Sequence, residues 1–169
     1  ERLPYNEMAY NDTIMPNPGI YTILGDSLGR LWIGSYGGLS IYDKDKGLFR
    51  HFTEQNANKH GIRSPWIRKI EYCHKTGQLI IGTNSSGVYY WDEDSGRFYP
   101  IEKFKGNVRD MIIDGSRLWV SLAKGFYRYD LHTKKLEQFK SDERNPLSLN
   151  SNNTQSLCID RAGTIWIGT

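Results

Sequence analysis

GRLWIGS (Gly29–Ser35) returns as GTIWIGT (Gly163–Thr169) at the far end of the sequence. Two weaker echoes stand between them, GQLIIGT (Gly77–Thr83) and SRLWVSL (Ser116–Leu122). A phrase that recurs at a steady spacing marks a repeat architecture, and it decides the fold before any local reading does. Each copy follows a short stretch of mixed apolar and polar residues: IYTILGD (Ile20–Asp26), IRKIEYC (Ile67–Cys73), VRDMIID (Val108–Asp114) and TQSLCID (Thr154–Asp160). The first three copies lead into GLSIYD (Gly38–Asp43), GVYYWD (Gly87–Asp92) and GFYRYD (Gly125–Asp130). Those lead in turn into LFRHF (Leu48–Phe52), RFYPI (Arg97–Ile101) and LEQF (Leu136–Phe139). First segments starting at 20, 67, 108 and 154 give periods of 47, 41 and 46 residues.

Each segment is short, rich in β-branched and aromatic residues, and bounded by turn formers, which is how a strand reads. The turns DSLG (Asp26–Gly29) and DRAG (Asp160–Gly163) join first to second strands, and DKDKG (Asp43–Gly47) and DEDSG (Asp92–Gly96) join third to fourth. An Asp at the head of such a turn accepts backbone N–H bonds, and the Gly takes a positive φ without strain. Four antiparallel strands at this period make one blade of a β-propeller. The expected fold is therefore all-β, a propeller segment with blades at 19–54, 67–104 and 107–140 and the first two strands of a further blade at 154–169. Residues 1–18, opening on ERLPYN, read as the last strand of a preceding blade and its connector. This phase suggests a segment of a larger wheel, whose open blade edges invite pairing with a second copy as a homodimer.

Superimposing the repeats produces columns. Trp32, Trp119 and Trp166 share one, with Ile80 in the second blade. Mid-strand indoles at a repeat position are expected to supply buried area between blades, as Trp91 in a third strand is, and not a surface for sugars. Gly34, Gly82 and Gly168 end the second strand where a Cβ would crowd the chain, and Ser121 breaks that column. Asp26, Asp114 and Asp160 end the first strand, with Cys73 in their place in the second blade.

Charge and composition narrow the function. With 22 basic and 19 acidic residues the net charge is +3, too weak a field to argue for a nucleic-acid partner. No run approaches the roughly 18 apolar residues of a membrane helix. The two cysteines, Cys73 and Cys158, read as free buried thiols and lack zinc-site spacing. The four histidines, His51, His60, His74 and His132, share no column and read as solvated, so no catalytic residue is expected. In DKDKG and DEDSG the Gly falls at the fifth position, where a calcium loop needs it at the sixth, so neither metal nor cofactor is expected.

SLCIDRAGTIWIGT (Ser156–Thr169), preceded by NPLSLNSNNTQ (Asn145–Gln155) and followed in its equivalents by G-x-x-x-Y-D, resembles the two-component regulator propeller repeat. The resemblance runs from about Gly19 to Thr169. It departs from the pattern in the second blade, which lacks the Asp and the Trp, and in the third, whose turn is shortened to DGSR (Asp114–Arg117). The resemblance implies a periplasmic sensor region of a hybrid two-component receptor from Bacteroidetes-type bacteria. Such a region passes a signal to a histidine kinase and responds chiefly to polysaccharide fragments. It also implies that the partners are an oligosaccharide and the remainder of its own propeller and receptor chain.

Propellers bind ligands where loops gather at one end of the channel. The second-to-third-strand loops bring Tyr36, Asn84 and Lys124 there. The second column of the first strands reads Tyr21, Arg68, Arg109 and Gln155, long polar side chains among apolar neighbours. They face a ligand at the channel rim, or else they hydrogen-bond adjacent blades. Trp66 lies in the polar connection TEQNANKHGIRSPW (Thr53–Trp66), just before a first strand. Two rivals belong to other classes: a structural docking platform, which needs an apolar rim, and a propeller enzyme such as a polysaccharide lyase or quinoprotein dehydrogenase, which needs an acid and a base, or a quinone, converging on the channel.

Overall fold

The computed structural model describes residues 19–123 and 125–169 of the chain. These form three four-stranded sheets and one two-stranded sheet, every neighbouring pair antiparallel and in sequence order. The first blade is β1 (Ile20–Gly25), β2 (Leu31–Ser35), β3 (Gly38–Asp43) and β4 (Leu48–Thr53). A short 3-10 helix, Ala57–His60, sits in the connection to the second blade: β5 (Ile67–Cys73), β6 (Gln78–Thr83), β7 (Val88–Asp92) and β8 (Arg97–Pro100). The third holds β9 (Val108–Asp114), β10 (Arg117–Leu122), β11 (Gly125–Asp130) and β12 (Leu136–Phe139), and β13 (Ser156–Ile159) pairs with β14 (Ile165–Gly168). The inner strands β1, β5, β9 and β13 pack on one another in succession, the radial order of a β-propeller. The strand expected within 1–18 lies outside the described residues.

The core consists of two inter-blade layers. One joins Trp32, Leu39, Ile41 and Phe52 of the first blade to Ile67, Ile70, Ile81, Tyr89, Trp91 and Phe98 of the second. The other joins Ile80, Val88 and Ile101 of the second blade to Val108, Met111, Leu118 and Val120 of the third. Strands buried on both faces need continuous apolar sequence, which is why β2 and β6 do not alternate.

The tryptophan column keeps its register throughout: Leu24 opposes Trp32, Glu71 opposes Ile80, Ile112 opposes Trp119 and Cys158 opposes Trp166. Burial along it declines. Trp32 is 0% exposed, with its edge against Trp91 of the next blade at 5.3 Å between ring centroids. Trp119 is half-buried, stacked on Phe126 and Phe139 of its own blade. Trp166 is 61% exposed, against the expectation of a buried indole, because no blade among the described residues lies against its face. Of the thiols, Cys73 is buried, while Cys158 is exposed and corrects the expectation of two buried ones.

The recurring phrase has a bonding logic. Asp26 accepts the N–H of Leu28 and of Arg30 through one oxygen and Trp32 Nε1 through the other, at 2.9, 3.0 and 2.7 Å. Asp160 repeats the set with Ala162, Thr164 and Trp166 Nε1, each at 2.9 Å. One carboxylate thus ties the turn to the indole. The second blade lacks both members of the pair, Cys73 and Ile80 standing in their places, so neither is left with an unmet bond. In the third, the shortened turn leaves Asp114 pairing loosely with Arg117 at 3.8 Å, and Trp119 Nε1 has no hydrogen-bond partner.

The glycine column has an equally direct cause. A Cβ on Gly34 would stand 2.7 Å from Cγ2 of Ile67 and 2.7 Å from Cγ2 of Thr22. On Gly82 it would stand 2.7 Å from Cγ1 of Val108. The start of each inner strand is therefore seated on the bare backbone of the blade before it. At the third junction the seat and its occupant are both polar. Ser121 Oγ lies 2.6 Å from Thr154 Oγ1 and donates to the Thr154 carbonyl at 2.7 Å, with both residues fully buried.

Candidate functional site

The polar column of the inner strands owes its place to β-bulges. Pairing of β1 with β2 slips between Ile20 and Thr22, that of β5 with β6 between Ile67 and Lys69, and that of β9 with β10 where Val108 and Asp110 face Leu122 and Ser121. The extra residues are Tyr21, Arg68 and Arg109. At β13, the Gln155 N–H bonds the carbonyl of Gly168, which also opposes Ser156, so Gln155 occupies the same step. A bulged residue is freed from the alternation of the strand and can be re-aimed. This is how four long polar side chains share a column in a frame whose neighbours are buried.

Around the first two of these residues an aromatic surface assembles. Trp66 meets Tyr36 edge-on at 4.4 Å between centroids and Tyr21 at 6.2 Å. The Arg68 guanidinium lies 4.9 Å from the Tyr21 ring centre, within cation–π range. The backbone holds the cluster in place: the Asn84 N–H bonds the Trp66 carbonyl at 2.9 Å, and the Tyr36 N–H bonds the Gly19 carbonyl at 3.2 Å. Trp66 itself is half-buried, whereas Tyr21 is 47% and Tyr36 56% exposed. Two tyrosine rings thus stand in solvent on a fixed indole, with a cation beside them. Five of the expected residues, Tyr21, Tyr36, Trp66, Arg68 and Asn84, come together here, while Lys124 lies outside the described residues.

The other two form a second group along the same end. Arg109 Nη1 donates to Gln155 Oε1 at 2.8 Å, and Gln155 Nε2 donates to Asn153 Oδ1 at 2.8 Å. The series ends at an amide-lined cleft of about 680 Å³, bounded by Ala123, Lys140, Ser141 and Asn150 to Asn153. Arg109 and Gln155 are therefore linked blade to blade, as one of the two sequence readings had it, and this link continues into an open cleft. The asparagines were visible in NPLSLNSNNTQ, but only the fold links Asn153, through Gln155, to the Arg109 side chain.

Below the column an ionic cluster joins the inner strands. Lys69 Nζ lies 3.1 Å from Asp110 and 3.7 Å from Glu71, and Asp110 also accepts the N–H of Leu157 in β13 at 2.8 Å. Burial, opposed by Lys69 and reinforced by Asp110, lifts the Glu71 carboxyl to about 7.

The opposite end carries the hairpin turns and a cleft of about 420 Å³ between the first two blades. There Arg30 reaches Asp26 through Nε at 2.6 Å and grips Glu93 of the next blade through both terminal nitrogens at 2.7 and 2.9 Å. Glu93 also accepts Trp91 Nε1 at 2.7 Å. This half-buried fork fastens two blades together, and its carboxylates are engaged by the protein itself.

Two histidines differ from the solvated state expected of them. His60 is half-buried against Phe52 and Arg50, and burial followed by the Arg50 charge lowers its pKa. His51 pairs through Nδ1 with Ser40 Oγ at 2.8 Å, a Ser–His contact that sequence spacing did not reveal. Ser40 is 2% exposed within β3, so no substrate carbonyl can approach its oxygen.

Fold and site together define a β-propeller with an exposed aromatic and guanidinium surface at the loop end of its inner strands. Residues 14–37 and 148–169 match the two component regulator propeller family. Solved structures carry the same fold. The extracellular domain of the one-component system BT4673 of B. thetaiotaomicron superimposes with a TM-score of 0.75 at 23% identity, over 92% of this chain and 21% of that one. That of the hybrid two-component system BT3049 of the same organism gives 0.61 at 17% identity, over 92% of this chain and 26% of that one. The chain thus spans about a fifth to a quarter of the length of these relatives. No curated protein matches it. Among the described residues, no helix is long and apolar enough to cross a membrane.

Proposed function

We propose that this chain is part of the ligand-sensing propeller of a two-component signalling receptor, acting on the extracellular or periplasmic side of the membrane and responding to oligosaccharides. One observation carries the reading: the Tyr21, Tyr36 and Trp66 rings form a partly exposed cluster at the loop end, with Arg68 on the Tyr21 face. Aromatic faces take the C–H side of a pyranose ring, while guanidinium and amide groups give directional bonds to its hydroxyls. The match to receptor propeller repeats and the extracellular placement of the similar structures support the location. Signalling then follows from differential affinity. A ligand that spans neighbouring inner strands favours whichever blade packing aligns its contacts, and it shifts the equilibrium only by that difference.

Calorimetric titration of the protein with a panel of plant, fungal and host oligosaccharides tests the reading. Binding by at least one member is expected. The doubly substituted Tyr21→Ala/Tyr36→Ala protein is expected to lose roughly ten-fold or more in affinity, at about 1 kcal/mol per ring. A panel without binders, or binding indifferent to both tyrosines, would overturn it.

A further inference from the structure

Among the described residues, the two inner-strand arginines lack the counter-charges that Arg30, Arg117 and Arg128 possess. Arg30 is held by Asp26 and Glu93, Arg117 by Asp114, and Arg128 by Glu137. Arg68 makes no ion pair or side-chain hydrogen bond among the described residues, and its guanidinium lies over the Tyr21 ring. Arg109 is bonded to a neutral amide, Gln155, and its Nε is shielded from solvent without a partner. Both are half-buried and occupy equivalent bulges on β5 and β9, inner strands that pack against each other.

Two neighbouring cations, partly desolvated and without a carboxylate, raise each other's cost. The protein does not lack acids nearby, since Asp110 directly follows Arg109. That carboxylate is already taken by Lys69 and by the N–H groups of Met111 and Leu157. The turn acids Asp26, Asp43, Asp92, Asp130 and Asp160 lie at the other ends of the strands, capping backbone N–H groups. The charge of Arg68 and Arg109 at the loop end is therefore left open among the described residues.

Resting on the oligosaccharide reading above, we propose that the ligand is anionic: a sugar chain whose carboxylate or sulfate groups are received by Arg68 and Arg109 while its rings lie on Tyr21 and Tyr36. The planar fork of a guanidinium matches both oxyanions in two parallel bonds. The Arg68 fork is pre-oriented by its contact with Tyr21, and that of Arg109 by its bond to Gln155, which lowers the ordering cost on binding.

The test compares matched charged and neutral ligands: oligogalacturonate with its methyl ester, and sulfated with desulfated carrageenan oligosaccharide. The first pair reports a carboxylate and the second a sulfate. One charged member is expected to bind at least ten-fold more tightly than its neutral twin, with affinity falling as salt rises. Arg68→Ala and Arg109→Ala are each expected to lose roughly ten- to hundred-fold toward that ligand, and Arg68→Lys less, while Arg63→Ala on the exposed connector leaves it unchanged. Unchanged melting temperatures exclude misfolding. Neutral members that bind as tightly as their charged twins, or a charged preference that survives both arginine substitutions, would overturn the anionic assignment and leave the oligosaccharide reading intact. Failure of both pairs together with the wider neutral panel would overturn both.

Discussion

Replacing Gly34 with serine should wedge the first two blades apart. The new Cβ would sit 2.7 Å from methyl carbons on two different strands, Ile67 of the next blade and Thr22 of its own, and 3.0 Å from Ile67 Cβ. Ordinary carbon contacts lie at about 3.5–4.0 Å, so each neighbour must retreat by roughly an ångström, and neither is the free end of a long side chain. Overpacking of this kind costs about 1–3 kcal/mol. Ile67→Thr alone removes a methyl group and buries an unpaired hydroxyl in a fully buried site, a loss of about 2–3 kcal/mol. The third junction already contains the combination of these two changes, Ser121 against Thr154, held by two short hydrogen bonds. Gly34→Ser/Ile67→Thr should therefore be more stable than the sum of its parts by about 1–2 kcal/mol, read from urea denaturation midpoints in a double-mutant cycle. Strict additivity, or a Gly34→Ser protein as stable as wild type, would refute the idea that the glycine column is a seat for the next blade.

Three further outcomes follow from the bonds described. Trp32→Phe keeps an aromatic ring but is smaller than the indole and loses its bond to the buried Asp26 carboxylate, and should cost about 2–4 kcal/mol by urea denaturation, with a smaller effect from Trp166→Phe at the exposed copy. Glu71 has a raised pKa, so its contribution is most favourable below the ordinary value of 4.5 and declines as pH climbs to about 7. Glu71→Gln should flatten that decline and raise the melting temperature at pH 8, by up to about 3 kcal/mol in stability. The bond from Trp166 Nε1, and then the Thr164 N–H, lowers the Asp160 pKa; its stabilisation is present above the ordinary value of 3.8 and lost as pH falls through the depressed value. Asp160→Asn should remove that part of the acid-dependent loss in a pH series of thermal melts.

The blade pattern was legible because each inter-blade layer asks for the same residues at the same steps. GRLWIGS and GTIWIGT are alike because each strand must pair with a first strand, seat the next one and tie its turn. The column could be drawn from sequence, but the bonds within it could not. Nothing in the spacing says that Asp26 and Trp32 share a hydrogen bond, or that losing both in the second blade leaves no gap. Burial of Trp166 was misjudged because a strand's apolar pattern states what it can bury and not which neighbour is there to cover it. The polar column of Tyr21, Arg68, Arg109 and Gln155 stood out against apolar surroundings, yet the bulges that re-aim these residues leave no mark in a single sequence. The meeting of Tyr36 with Trp66 joins a hairpin loop of one blade to a connector leading into the next, and only the radial packing brings them into contact. Within one blade, the antiparallel register of β3 and β4 pairs Ser40 with His51, which the residue spacing had left apart.

A crystal structure of the protein with a bound oligosaccharide is the most direct measurement, because the two ends of the blades offer competing clefts. Sugar density on the Tyr21 and Tyr36 rings, with an oxyanion against Arg68 or Arg109, is the predicted result. Density in the turn-end cleft between Asp26 and Glu93, with the loop-end aromatics bare, would contradict the account.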